Sequence, residues 1–372
     1  MKSKLTSTFS SLTDPRSIRN QDHDFDAIMG ISLLAGLAGI DSFLGIADYC
    51  EINLEQLGLH FDLSNGAISH DTFRKVFSTL NPEEFQTCFA EFTTNLASSV
   101  SGVIAIDGKT IRNSKKDSLL HMVSAWCEEN QMILAQTKTH EKSNEITAIP
   151  KLLELLNLGG AVVTIDAMGC QRNICEQIKN RDADYVIGLK ANQKTLHEDV
   201  KKIFSDQKVL TNSSSWEEIG KGHGRLEKRI TYSTSDIASL QEKHQWIGLK
   251  SVNMVISERT LKNHLGQKVT SEEKRFYISS LPENAKKICQ IARQHWGIEN
   301  KLHWRLDVVY NEDGACINDE TSALNMSTIR KWSLNILQKA KSKPEQSLKG
   351  LMRKNAMSLT HALKIVEKVF HA

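Results

Sequence analysis

Residues 102–111 read GVIAIDGKTI, a run of branched apolar residues that stops on an aspartate and a glycine. Two more strand-like runs follow across polar turns, HMVSAWCEE at 121–129 and MILAQTKTH at 132–140. Glu145 to Leu156 has helical spacing, Gly159-Gly160 breaks it, and AVVTIDAMG (161–169) again ends an apolar strand on an aspartate. Cys170–Asn180 reads as helix, YVIGLKA (185–191) as strand and Lys194–Phe204 as helix. Three consecutive strands and then alternating helix and strand predict an α/β fold, a mixed sheet with crossover helices. The runs ending in Asp107 and Asp166 are apolar on both faces, as central strands of a covered sheet are.

Upstream of Val100 the chain reads as helix: Asp26–Ile46, Asn53–Leu59, Ser69–Leu80 and Pro82–Ala97. Ser69 before HDTFRKVF and Asn81 before PEEF are expected N-caps, the second with proline at the first helical position. This predicts a small all-α N-terminal domain over 1–98 and an α/β domain over 99–372. Within the latter, 213–280 loses the helical period. EEIGKGHGRLEKRITYS (217–233), KSVNMVISERTL (250–261) and KRFYISSL (274–281) read there as strands of a β-rich insertion. Helices return over Asn284–His303, Thr321–Ala340 and Leu348–Phe370.

Hydrophobic residues make up 40% and charged residues 24% of 372, enough apolar material for a sizeable core. The net charge of +3 says little, but from Arg330 onward ten Lys or Arg stand against Glu345 and Glu367. That tail, helical from about 320, suits either a phosphate-contacting surface or a solvated helix face. Seven scattered cysteines with no CxxC pair indicate free thiols rather than a disulfide framework or zinc ribbon. Ala27–Ile40 is apolar but, at 14 residues, too short to span a bilayer, and reads as a buried helix.

A charge at the end of an apolar strand costs several kcal/mol unless it has a partner. For Asp107 and Asp166 the partner is either a shared divalent metal or a nearby cation such as Lys109, Arg112 or Arg172. Glu299 lies in ARQHWGIENKLHWRLDVV, where His295, Glu299 and His303 are four apart on one helix face. Trp296 and Leu306 flank that face, and Trp296 and Trp304 are expected in the core. An acid so placed is expected to face the sheet rather than solvent. Three carboxylates suit magnesium, which prefers oxygen ligands and keeps room for phosphate oxygens. Two such ions can promote in-line displacement at phosphorus, and no Ser/His/Asp arrangement is evident beside them.

IAIDGKTIR (104–112), TIDAMGCQ (164–171) and HWGIENKLHWRLDV (295–308), in that order, resemble the three motif regions of the DDE insertion-sequence transposases. The branch that includes the H-repeat-associated transposases is the most similar. The resemblance covers nearly the whole chain, taking in SHDTFRKVFSTLNP, SNEITAIPKLL, YVIGLKANQ, GHGRLEKR and FYISSL. It implies an RNase H-like core holding Mg²⁺ or Mn²⁺, with Asp107, Asp166 and Glu299 as catalytic and metal-binding acids. It further implies phosphodiester hydrolysis and transesterification on double-stranded DNA, at terminal inverted repeats and a target. A homodimer in the bacterial cytoplasm at the nucleoid is the setting expected, with no membrane.

One departure concerns the grip on DNA. Related enzymes carry a Tyr–Arg–Glu–Lys signature around the third acid. Here Ala292, His295 and Leu306 occupy the tyrosine, arginine and lysine places, which leaves phosphates to residues such as His295, Lys301 or Arg305. His223 and Arg225, in a glycine-flanked turn, could approach a DNA backbone or simply close a hairpin. Gln171 could orient DNA or cap a turn, and Lys109 and Lys190 could be phosphate ligands or solvated lysines. Two other functions stay open on sequence alone: a DNA-binding protein without catalysis, and a stand-alone repair nuclease.

Overall fold

The computed structural model describes residues 5, 8–17, 19, 21–97, 101–111, 120–139, 145–222, 225–262, 267–343 and 345–370. Arg112, His223 and the domain boundary expected near residue 98 lie outside them. Strands β1 (Val103–Ile111), β2 (Leu120–Cys127) and β3 (Met132–Thr139) are joined as an antiparallel meander. β4 (Val162–Ile165) and β5 (Asp184–Leu189) then run parallel to β1, in the order 3-2-1-4-5. That mixed α/β order is the RNase H-like arrangement.

The strands expected as an insertion do not stand apart from this sheet. β6 (Ser214–Gly222), β7 (Arg225–Thr234), β8 (Ser251–Lys262) and β9 (Lys268–Ser279) continue it to nine strands. β9 joins antiparallel to β5, where Ile187 faces Ile278 and Leu189 faces Phe276, so the open edge of β5 is paired. The run 217–233 is divided between β6 and β7, with Gly222 opposite Arg225.

Helices cover both faces. β1 sends Ile104 and Ile106 into one core and Ala105 into the other, which is why it reads as continuously apolar. The helices are α1 (Phe25–Leu37), α2 (Phe43–Ile52), α3 (Leu54–Gly58), α4 (His70–Thr79), α5 (Pro82–Leu96), α6 (Glu145–Glu154), α7 (Arg172–Lys179), α8 (Lys194–Ile203), α9 (Gln207–Asn212) and α10 (Ala238–His244). After β9 come α11 (Ala285–His295), a π-turn (Ile298–His303), α12 (Trp304–Tyr310), α13 (Glu320–Ala340), α14 (Leu348–Met357) and α15 (Leu359–Phe370). The side chains of Ser69 and Asn81 cap α4 and α5 as their positions predict. The apolar stretch from residue 26 to 46 is two helices, because Gly39 turns at φ +82° and Ser42 caps a new start. No described helix is long and apolar enough to cross a membrane.

The last three helices and the first five share one core. Its centre is Trp332, ringed by Phe9, Phe85, Phe89 and Phe92 at centroid distances of 5.0–5.7 Å. The basic tail is therefore not a free phosphate surface throughout, since Arg330 and Lys331 are buried. Arg330 Nε donates to Asp41 at 2.9 Å, and Lys331 Nζ reaches Gln136 and Ser327. Asn335 on α13 also closes the outer edge of β3, bonding both Ile133 N at 2.9 Å and Ile133 O at 2.8 Å. Trp332→Ala removes the centre of the shared core and is expected to cost about 3–5 kcal/mol. Urea denaturation should show that loss as one lowered midpoint for helices and sheet together.

Candidate active site

Register places the first two acids. Ile106 of β1 pairs in parallel with Ile165 of β4, so Asp107 lies beside the end of β4, which Asp166 follows. Asp107 does not end its own strand as expected, because β1 runs on to Ile111 paired with β2. Asp166 caps the short turn Ala167–Gly169: its Oδ1 accepts from Met168 N at 2.9 Å and Gly169 N at 3.4 Å. β5 passes close beside it at Gly188, where a Cβ would stand 3.1 Å from Ala167 N. The turn after β5 is fastened to the same place, Asn192 Nδ2 donating to Ala167 O and Gln193 Nε2 to Cys170 O at 2.9 Å. Glu299 comes from the π-turn. All three acids line one cavity of about 590 Å³, together with Lys190, His295 and Trp296.

The electrostatics are those of acids crowded together. Burial, then the negative charge of Glu299, Asp166 and Glu145, pushes the Asp107 carboxyl up to about 7, against one backbone hydrogen bond at Gly108. Glu145 is a fourth acid that the sequence did not single out. Its carboxylate lies close over Gly108, where an added Cβ would stand 2.3 Å from its Oε1, so any larger residue at 108 would push the Glu145 side chain aside. His303 Nδ1 stands 3.7 Å from Asp107 Oδ2. Burial, with Lys109 and Lys331 nearby, holds that imidazole at about 3, so it is neutral and forms no ion pair with Asp107. Burial likewise brings His295 down to about 4.

Several expectations need correction. Glu299 is exposed rather than turned from solvent, and Trp296 (36%) and Trp304 (57%) lie at the surface, not in the core. The buried side belongs instead to Ile298, Leu302 and Leu306, four apart, which leaves both tryptophans facing out. Lys109 is held inside the fold, with Nζ against Asp307 and 3.0 Å from Glu312. Glu312 is fully buried; burial alone would raise its carboxyl, but Lys331, Lys109 and Arg330 outweigh that and bring it to about 2. Lys301 pairs with Glu128, and Arg305 lies over the Trp126 ring at 5.9 Å. Gln171 bonds back to Met168 O at 3.4 Å, closing its turn. Among the described basic or polar candidates, Lys190 and His295 line the cavity with the acids. Arg225 opens β7 at the far end of the sheet.

The comparisons with known proteins agree with this architecture. A family model described as "Transposase DDE domain" matches residues 98–336, and one described as "DDE_Tnp_1-associated" matches 6–93. The chain belongs to the DDE transposase family. It is 36% identical to "Putative protein YbfL" and 35% identical to "H repeat-associated putative transposase YhhI", both of Escherichia coli K12. Each alignment covers 98% of this chain and 97% of the relative. "Putative transposase YncI" of E. coli O157:H7 is 38% identical over 91% of this chain and 88% of its own.

The donor chemistry of a DDE site fits a divalent cation. Burial, and repulsion among hard carboxylate oxygens, make Asp107 hold its proton up to about pH 7, and the adjacent histidine is neutral. The acids are not drawn together to ligating distance: among the described residues no three His, Cys, Asp or Glu form a metal-holding group. The crowding has a cost that can be measured. A carboxyl raised to about 7 in the fold keeps a proton that the unfolded chain releases near 3.8. Stability is therefore lost as pH climbs between those values and stays lost above them. In chelator, Asp107→Asn is expected to melt above the parent chain at about pH 8, with the gain shrinking toward pH 4. Thermal melts across that range check the sign.

Proposed function

We propose that this DDE-family chain cleaves phosphodiester bonds at the ends of its element and transfers the 3′ ends into target DNA, with Asp107, Asp166 and Glu299 as its catalytic carboxylates. The observation that carries this reading is their convergence. Acids from β1, from the β4 turn and from a helix more than a hundred residues later line one cavity. Asp107, Asp166 and Glu299 would hold Mg²⁺ or Mn²⁺, which when bound neutralises charge at phosphorus and activates the attacking oxygen. The chain's own part is orientation. Two backbone amides hold Asp166 Oδ1 and so fix the direction of the carboxylate. The neutral His303 leaves the charge of Asp107 for a cation instead of quenching it. Double-stranded DNA is the partner, bound by a pair of copies at paired ends.

The test is Mn²⁺-dependent reaction of the purified chain on DNA carrying the element ends. Asp107→Ala, Asp166→Ala and Glu299→Ala should each slow cleavage on the order of a thousandfold, about 4 kcal/mol of barrier, while DNA binding persists. Normal cleavage by any one of them overturns the assignment. Cleavage with no joined product identifies a nuclease instead, and binding with no cleavage an inactive DNA-binding protein.

A further inference from the structure

The helix that bears Glu299 brings no lysine or arginine to the cavity: Lys301 turns to Glu128, Arg305 lies over Trp126, and neither lines it. The opposite wall differs. Lys190, Lys201, Lys274 and Arg275 reach the same cavity from the turn after β5, from α8 and from β9. Lys190 is exposed and has no ion pair among the described residues. Its backbone is nonetheless fixed, since Asn192 and Gln193 tie that turn to the turn carrying Asp166.

Arg275 is held differently and as firmly. Its guanidinium lies 4.5 Å from the ring centroid of Trp296, three residues before Glu299 on the same helical segment. Glu273 accepts from its Nε at 2.8 Å and from its Nη2 at 3.0 Å. A guanidinium has five donors, so some remain for a phosphate oxygen. Arg275 also lines a second groove of about 440 Å³ that runs on past Trp296 and Glu299 along β7 and β8. One arginine thus borders both the acids and the path leading away from them. A stacked, planar, permanently charged group in a fixed orientation is suited to phosphate.

We propose that Lys190 and Arg275 seat the backbone phosphates of the DNA strand facing the carboxylates, with Lys201 and Lys274 as the flanking positive rim. The sheet then supplies the cation missing from the Glu299 helix. This rests on the DNA-processing reading of the cavity.

The test measures binding of the full-length chain, in chelator, to an arbitrary-sequence duplex of about three helical turns across a salt series. Lys190→Gln and Arg275→Gln should each weaken binding severalfold and lower the salt slope by about 1. Arg275→Lys should keep most of the slope, and Lys208→Gln, an exposed lysine on α9 outside the cavity, should leave it unchanged. Parental slopes in both glutamine variants overturn the proposal, and so does an equal drop in Lys208→Gln, which marks a diffuse basic surface. Lys190 is exposed, so its variant remains a clean test if Arg275→Gln misfolds. Because binding in chelator needs no catalysis, the two readings fail separately. Unchanged slopes in a chain that cleaves sink the seat alone, and lowered slopes in a chain that never cleaves sink the transposase reading alone.

Discussion

The parallel pairing of β1 with β4 is the constraint on which the rest depends. Once Ile106 lies beside Ile165, Asp107 on β1 must lie next to Asp166, at the end of β4 where open α/β sheets form their crevices. Both strands are buried on both faces, so neither can slip by a residue without turning an apolar side chain out of a core. The acids cannot drift apart to relieve their repulsion. Burial first, and this repulsion after it, raise the Asp107 carboxyl, and the large cores on either side are what tolerate it.

The helical layer is tied to this pair through a buried charge network. Lys109, two residues past Asp107, meets Glu312, which lies just beyond the Glu299 segment and is also faced by Lys331 and Arg330 of α13. Arg330 reaches Asp41 between α1 and α2. One connected set of charges thus joins β1, the segment behind the third acid and the N-terminal helices. Removing one partner from such a network leaves an uncompensated buried charge, which is far costlier than the network's net worth. The N-terminal helices are built into the same body as the sheet rather than appended to it.

The core of the fold was legible because each strand carried its own pattern. GVIAIDGKTI and AVVTIDAMG are apolar without alternation, which only a covered central strand explains, and the caps at Ser69 and Asn81 are local chemistry. Features set by distant pairing were not legible. Nothing in KRFYISSL says that it will extend β5 rather than form a separate unit, since edge pairing depends on which edge is open. Lys109 looked solvated because its partners Asp307 and Glu312 lie some two hundred residues away. Trp296 and Trp304 were misplaced because their spacing says that they share a face, not which face is covered; Ile298, Leu302 and Leu306 hold the buried one. Arg275 offered no signal beyond a basic residue in an alternating strand; only the fold sets it on Trp296 beside Glu299.

The central claim is that three acids from separate parts of the chain act as one divalent-ion site, and Glu299 is its most demanding member because it is exposed. Uptake of Mn²⁺ by the full-length protein, followed through loss of the free-ion paramagnetic resonance signal, tests this directly. Glu299→Gln alone should weaken uptake roughly tenfold or more, as disturbance of a metal site does. Uptake by Glu299→Gln equal to that of the parent chain would contradict it.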